Sequence, residues 1–135
     1  MSDTVVATRG IVAGSRTATT EMRLAIIDII DRAVEEYSSV DPTLYVDDAS
    51  AEVAGPDEWV EKQLVGSMRM ICQGITDAGM ETSPTKSVCT ASSPSLTAKI
   101  AAKLADFGIL PVIRTKSLGF GMAAGVRRNA MVINR

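Results

Sequence analysis

Thr43-Leu44-Tyr45-Val46-Asp47-Asp48-Ala49-Ser50-Ala51-Glu52-Val53-Ala54 separates two long helical patterns and sets what lies between them. It is short, partly β-branched, and carries two acids at its midpoint. That pattern predicts a hairpin: a strand over 43–46, a tight turn at Asp47-Asp48, and a strand over 49–54. Aspartate suits a turn because its carboxylate accepts hydrogen bonds from nearby backbone N–H groups. In front of the hairpin, Asp41-Pro42 marks a helix end, since proline disfavours a helical residue before it. The helix that ends there begins near Thr19 or Thr20, where a hydroxyl caps free N–H groups. Its apolar face is Met22, Ile26, Ile29, Ile30, Ala33 and Tyr37, recurring at helical spacing.

Behind the hairpin, Gly55-Pro56-Asp57 opens the longest helix. Proline is tolerated in a first turn, and Asp57 and Glu58 suit the positive end of the helix dipole. Val60, Leu64, Met68, Ile71, Cys72 and Ile75 form its apolar stripe, and Gly79 is the expected stop. A strand is predicted over 85–91. Ser93-Pro94 opens a third helix carrying Leu96, Ile100, Leu104 and Phe107, which Gly108 ends. Residues 109–114 and 116–120 are read as two further short strands. The order helix, hairpin, helix, strand, helix, strands predicts an α+β domain, an antiparallel sheet with helices packed on one face.

Composition narrows the functional classes. The chain has 135 residues, the span of one compact domain, and is 46% hydrophobic and 22% charged. Trp59, Tyr37, Tyr45, Phe107 and Phe120 are its only aromatics, so the core must be aliphatic. It contains no histidine, which removes histidine bases, histidine triads and histidine metal sites. Cys72 and Cys89 lack metal-ligand spacing and read as buried intracellular thiols. No apolar run approaches the ~20 residues that span a bilayer, so no membrane partner is expected. Met1-Ser2-Asp3-Thr4 has neither the basic nor the apolar part of a signal peptide, so an intracellular location is expected. Charge is lopsided: residues 1–60 hold 4 Lys/Arg against 12 Asp/Glu, and residues 61–135 hold 10 against 4. A metal site beside a polyanion-binding surface would produce such a split, and so would scattered solvated charge.

Asp47-Asp48 is the sharpest chemical feature. Neighbouring carboxylates repel each other when both are ionised, and a divalent cation relieves that repulsion. Mg²⁺ takes oxygen ligands, keeps several waters, and is commonly held by one or two carboxylates together with substrate phosphates. An acid pair at a hairpin tip therefore suits a Mg²⁺–polyphosphate complex; taken alone, an Asp-Asp pair is also an ordinary acidic turn.

The neighbours of the pair favour the metal. Tyr45-Val46-Asp47-Asp48 resembles the Tyr-x-Asp-Asp box of reverse transcriptases, their third palm motif. Upstream, Arg9-Gly10-Ile11-Val12-Ala13-Gly14-Ser15 followed by a helix resembles the second motif. Downstream, a long helix and then Ser83-Pro84-Thr85-Lys86-Ser87 resembles the fourth, which ends in a lysine-bearing strand. Lys116-Ser117-Leu118-Gly119-Phe120-Gly121 resembles the leucine-glycine turn of the fifth, the primer grip. The four motifs stand in family order over residues 9–121, most similar to retrotransposon enzymes of the non-LTR type. The resemblance implies a partial polymerase palm over 1–121, with 122–135 as a tail or the start of a thumb-proximal segment.

The resemblance also implies roles. Asp47 and Asp48 become the catalytic and metal-binding carboxylates of a two-Mg²⁺ centre for nucleotidyl transfer. Tyr45, Gly14 and Ser15 lie at the nucleotide or primer end, with Gly10 letting backbone approach closely. Lys86 stands near the leaving pyrophosphate, and Arg127 and Arg128 touch phosphates. The implied partners are an RNA or DNA template-primer and a deoxynucleoside triphosphate. Two departures matter. Val12 and Ala13 replace the family's Pro-Gln, removing a template-strand contact. The first motif, which supplies a further catalytic aspartate from an upstream strand, has no counterpart in the nine residues before Gly10, where Asp3 lacks a strand-like context. The chain by itself is thus expected to be inactive. Two other readings stand beside this one: a receiver-like signalling domain that binds Mg²⁺ through Asp47-Asp48, which lacks an acid in Cys89–Pro94 to accept a phosphoryl group, and a noncatalytic nucleic-acid-binding remnant of a retroelement.

Overall fold

The computed structural model describes residues 16–45, 48–117 and 120–123. Three helices and three two-stranded ladders make up those residues, an α+β arrangement. Helix α1, Ala18–Glu36, starts just ahead of the expected threonines. The Thr17 hydroxyl bonds the Glu21 carboxylate, and the Glu21 N–H bonds the Thr17 carbonyl at 2.8 Å. Ile26, Ile29 and Ala33 are buried and Met22, Ile30 and Tyr37 half-buried, which is the stripe the periodicity marked. After α1 the chain turns through a Val40 N–H to Tyr37 carbonyl bond of 3.0 Å and enters strand β1, Asp41–Tyr45. Strand β2, Asp48–Glu52, pairs with it antiparallel.

Helix α2, Asp57–Asp77, is packed on both sides: α1 lies against one face and helix α3, Pro94–Lys103, against the other. The α3 side carries the expected stripe. Cys72 joins Cys89, Leu96, Ile100, Leu104 and Ile109 in the main core, with Val60, Leu64 and Met68 against them. The α1 side was not legible as an apolar stripe, because it is built from small and polar residues. Gln63 and Ser67 are buried there, and two glycines let the backbones approach. A Cβ on Gly66 would stand 2.3 Å from the Tyr37 ring, and one on Gly74 would stand 2.5 Å from Ile29 Cγ2. Tyr37 and Ile29 are eight residues apart, as are Gly66 and Gly74, in opposite order, so α1 and α2 pack antiparallel.

Helix α3 begins as its sequence predicts. The Ser93 hydroxyl accepts a hydrogen bond from the Leu96 N–H at 3.2 Å, and Pro94 occupies the first turn. Thr97 ties the preceding loop down: its buried hydroxyl donates to the Ser93 carbonyl at 2.9 Å and accepts from the Ala91 N–H at 2.9 Å. Thr97→Val removes both bonds and leaves the Ala91 N–H without its acceptor, while the Ser93 carbonyl keeps the Thr97 N–H at 3.0 Å; the expected cost is about 1–3 kcal/mol, the desolvation of a polar group left unpaired. A lowered urea midpoint at unchanged slope would register it. The helix closes through a 3-10 turn, Ala105–Phe107, onto Gly108, whose φ of 72° is left-handed.

The sheet differs from the expectation of one antiparallel sheet. Among the described residues the ladders are separate two-stranded pairs, and one is parallel. Strand β3, Val88–Cys89, runs parallel to β4, Leu110–Pro111, with Leu110 N–H to Ser87 carbonyl at 3.0 Å and Val112 N–H to Cys89 carbonyl at 2.9 Å. The reason is the connection: α3 carries the chain back along its own length, and a helical crossover delivers a parallel strand. The strand expected over 109–114 is accordingly divided. Residues 110–111 pair with β3, while Arg114 opens β5, Arg114–Ser117, whose antiparallel partner is β6, Phe120–Ala123.

Candidate metal-binding hairpin

The β1–β2 register runs from Asp41 opposite Glu52 to Tyr45 opposite Asp48. The tight connection is therefore one residue earlier than the sequence predicts. Asp48 is the first residue of β2, and the two residues between the strands are Val46 and Asp47, which lie outside the described residues. Pleating alternates side chains between faces. Pro42, Leu44 and Ala51 are half-buried on the inner face. Asp41, Thr43, Tyr45, Asp48, Ser50 and Glu52 are exposed on the outer face, with Tyr45 57% exposed. Tyr45 and Asp48 are directly opposed and so share that face. Strand β1 rests on α1 and β2 on α2, so both helices hold the hairpin.

Asp48 stands in solvent, and no group of three acidic or thiol side chains suited to a metal occurs among the described residues. Its carboxylate, one of the predicted pair, is free to ligate, but a two-metal centre needs further oxygens from elsewhere. Gly10, Gly14, Ser15, Asp47, Arg127 and Arg128 lie outside the described residues. Lys86 is described and corrects the sequence reading. It is exposed in the turn before β3 rather than on a strand. That turn is held by the Ser83 carbonyl, which accepts from the Ser87 N–H at 3.1 Å and the Ser87 hydroxyl at 2.7 Å. These bonds curl residues 83–87 and shorten the strand expected over 85–91. No hydrogen bond or ion pair joins Lys86 to Tyr45 or Asp48.

Sequence reasoning missed Arg69. Its guanidinium donates to the Lys103 carbonyl at the end of α3, pairs with Asp106 at 2.9 Å, and stands 5.5 Å from the Phe107 ring centre. One side chain thus joins α2 to the helix exit, satisfying a carbonyl with no partner inside the helix. A lone arginine on a helix gives no sequence sign of such a partner 34 residues away. Arg69 also lines an open groove of about 470 Å³ with Ile29, Arg32, Gln73 and Asp77, sharing no residue with the hairpin. Lys103 bonds Glu61 and holds its carboxyl below the usual value, with Lys99 adding to the effect. Cys72 and Cys89 are free and buried, and burial pushes both thiols up, so neither is a ready nucleophile. Among the described residues no helix is long and apolar enough to cross a membrane.

No protein-family profile matches the chain, no curated protein matches it, and no solved structure matches it.

Proposed function

We propose that the chain is the aspartate-hairpin portion of a reverse-transcriptase palm, similar to those of retrotransposons. In this reading Asp47 and Asp48 hold Mg²⁺ against the phosphates of a deoxynucleoside triphosphate on an RNA or DNA template-primer. The observation that carries it is the antiparallel ladder closing on Tyr45 and Asp48, with α1 before it and α2 after it. That register sets the Tyr-x-Asp-Asp box across a two-residue connection with Tyr45 and Asp48 on one open face, where a nucleotide has access. A receiver-like domain is less well supported, because it needs its acids at the ends of parallel strands, whereas this pair belongs to an antiparallel hairpin.

The chemistry assigned to the site is in-line displacement at the α-phosphorus by the primer hydroxyl, with cations stabilising the attacking and leaving oxygens. Asp48, exposed and opposite Tyr45, offers one ligand, and Tyr45 offers an aromatic face beside the nucleotide. A third carboxylate is required, and no group of three acidic or thiol side chains suited to a metal occurs among the described residues. Primer extension by the 135-residue chain with Mg²⁺ is therefore expected to show no incorporation. Binding is the positive test. An RNA–DNA template-primer followed by fluorescence anisotropy should bind more tightly with Mg²⁺ than with EDTA, and Asp48→Asn should remove that difference. Equal affinity with and without Mg²⁺ would overturn the assignment, whereas robust incorporation by the chain alone would overturn the expectation that a further carboxylate is missing.

A further inference from the structure

Helix α1 has two apolar faces, and among the described residues only one is packed against other elements. Ile26, Ile29 and Ala33 are buried, while Leu24 is 70%, Ile27 49% and Val34 37% exposed. With Asp31 the exposed residues fall at 24, 27, 31 and 34, steps of three and four that keep to one side of a helix. Glu21, Asp28 and Glu35, all exposed, run beside this seam at seven-residue intervals. Seven residues are nearly two turns, so the three acids form a row along one border. Among the described residues no lysine or arginine forms an ion pair with any of them.

An apolar seam with an acidic border specifies the charge of what would cover it. We propose that the outer face of α1 docks a second helix that has an apolar seam bordered by Lys or Arg at seven-residue spacing. A second copy of this chain does not meet that description. Antiparallel pairing of two α1 helices lays the acidic rows against each other, and parallel pairing stacks Asp31 on its counterpart; like charges in those positions oppose association. A basic helix pairs with every acid in the row while its apolar residues cover Leu24, Ile27 and Val34. This surface is independent of the metal hairpin and stands or falls separately from the polymerase reading.

The test uses the whole chain and two labelled helical peptides, each about three heptads long, with leucines at the seam. One carries Lys in the bordering positions and the other Glu. Anisotropy titration should show the Lys peptide binding at least about tenfold more tightly, with the advantage shrinking in high salt as exposed charges are screened. Leu24→Ser with Ile27→Ser should abolish binding while leaving the helical circular dichroism unchanged, since both side chains are exposed. Asp28→Lys with Glu35→Lys should reverse the preference toward the Glu peptide. Equal affinity for both peptides, no binding to either, or a dimer of the chain that the serine variant dissolves would each overturn the proposal.

Discussion

Ile100→Ala is expected to lower stability by about 2–5 kcal/mol, a large share of what a domain of this size holds. Ile100 is fully buried at the centre of the main core, among Cys72, Cys89, Leu96, Leu104 and Ile109. Those neighbours come from α2, β3, α3 and the approach to β4. The cavity left by three missing carbons therefore opens where four segments meet, with no single side chain placed to fill it. Urea unfolding followed by circular dichroism measures the loss. A change below about 1 kcal/mol, the usual range of a surface substitution, would mean that the βαβ unit is not packed as described.

Gly74→Val should be comparably damaging, for a different reason. A Cβ at position 74 meets Ile29 Cγ2 at 2.5 Å and Cγ1 at 3.1 Å. Both atoms sit on the β-carbon of a branched side chain that has little rotamer freedom in a helix, and Ile29 is only 7% exposed. The helices must move apart, and overpacking of this kind costs about 1–3 kcal/mol or more. Even Gly74→Ala, which gains about 1 kcal/mol in helix propensity, is expected to be net destabilising. Gly66→Ala is the control. Its Cβ also approaches closely, 2.3 Å from Tyr37, but the atoms met are the outer edge of a half-buried ring that can swing aside. Its effect should stay within about 1 kcal/mol. If both alanine variants behave alike in urea titrations, α1 does not lie on α2 in this register.

This contrast also explains how much of the fold the sequence disclosed. Apolar stripes were legible wherever one helix face met a larger core: Met22 to Tyr37 on α1, Val60 to Ile75 on α2, and Leu96, Ile100 and Leu104 on α3 all point inward as read. The Ser93-Pro94 start and the Gly108 stop of α3 were equally plain, because each is a local hydrogen-bond or dihedral requirement. The second face of α2 was not legible. Gln63, Gly66, Ser67 and Gly74 have no apolar period, and their role depends on a partner helix that lies earlier in the chain, beyond the hairpin. Strand pairing was the weakest part. Nothing in Ile109-Leu110-Pro111-Val112 says that it bonds to Val88-Cys89 in parallel rather than to its neighbour; the direction follows from α3 lying between them.

At the candidate site, the hairpin is readable from a short, partly β-branched stretch with two acids at its midpoint, and its connection lies one residue earlier than that stretch predicts. Acids are favoured both in turns and at strand starts facing solvent, so composition could not separate Val46-Asp47 from Asp47-Asp48 as the connection. A strand over 85–91, with Lys86 on it as the resemblance to the fourth motif implies, is the expectation. The Ser83 carbonyl instead collects the Ser87 N–H and hydroxyl, a local competition that β-propensity does not register.

The most direct measurement is a Mn²⁺ titration of the ¹⁵N-labelled chain, using the ion as a paramagnetic substitute for Mg²⁺. Line broadening is expected to centre on the amides of Tyr45 to Asp48, with an affinity at least about tenfold weaker when Asp47 and Asp48 are both replaced by asparagine. Broadening centred elsewhere, or an unchanged affinity in the double variant, would contradict it.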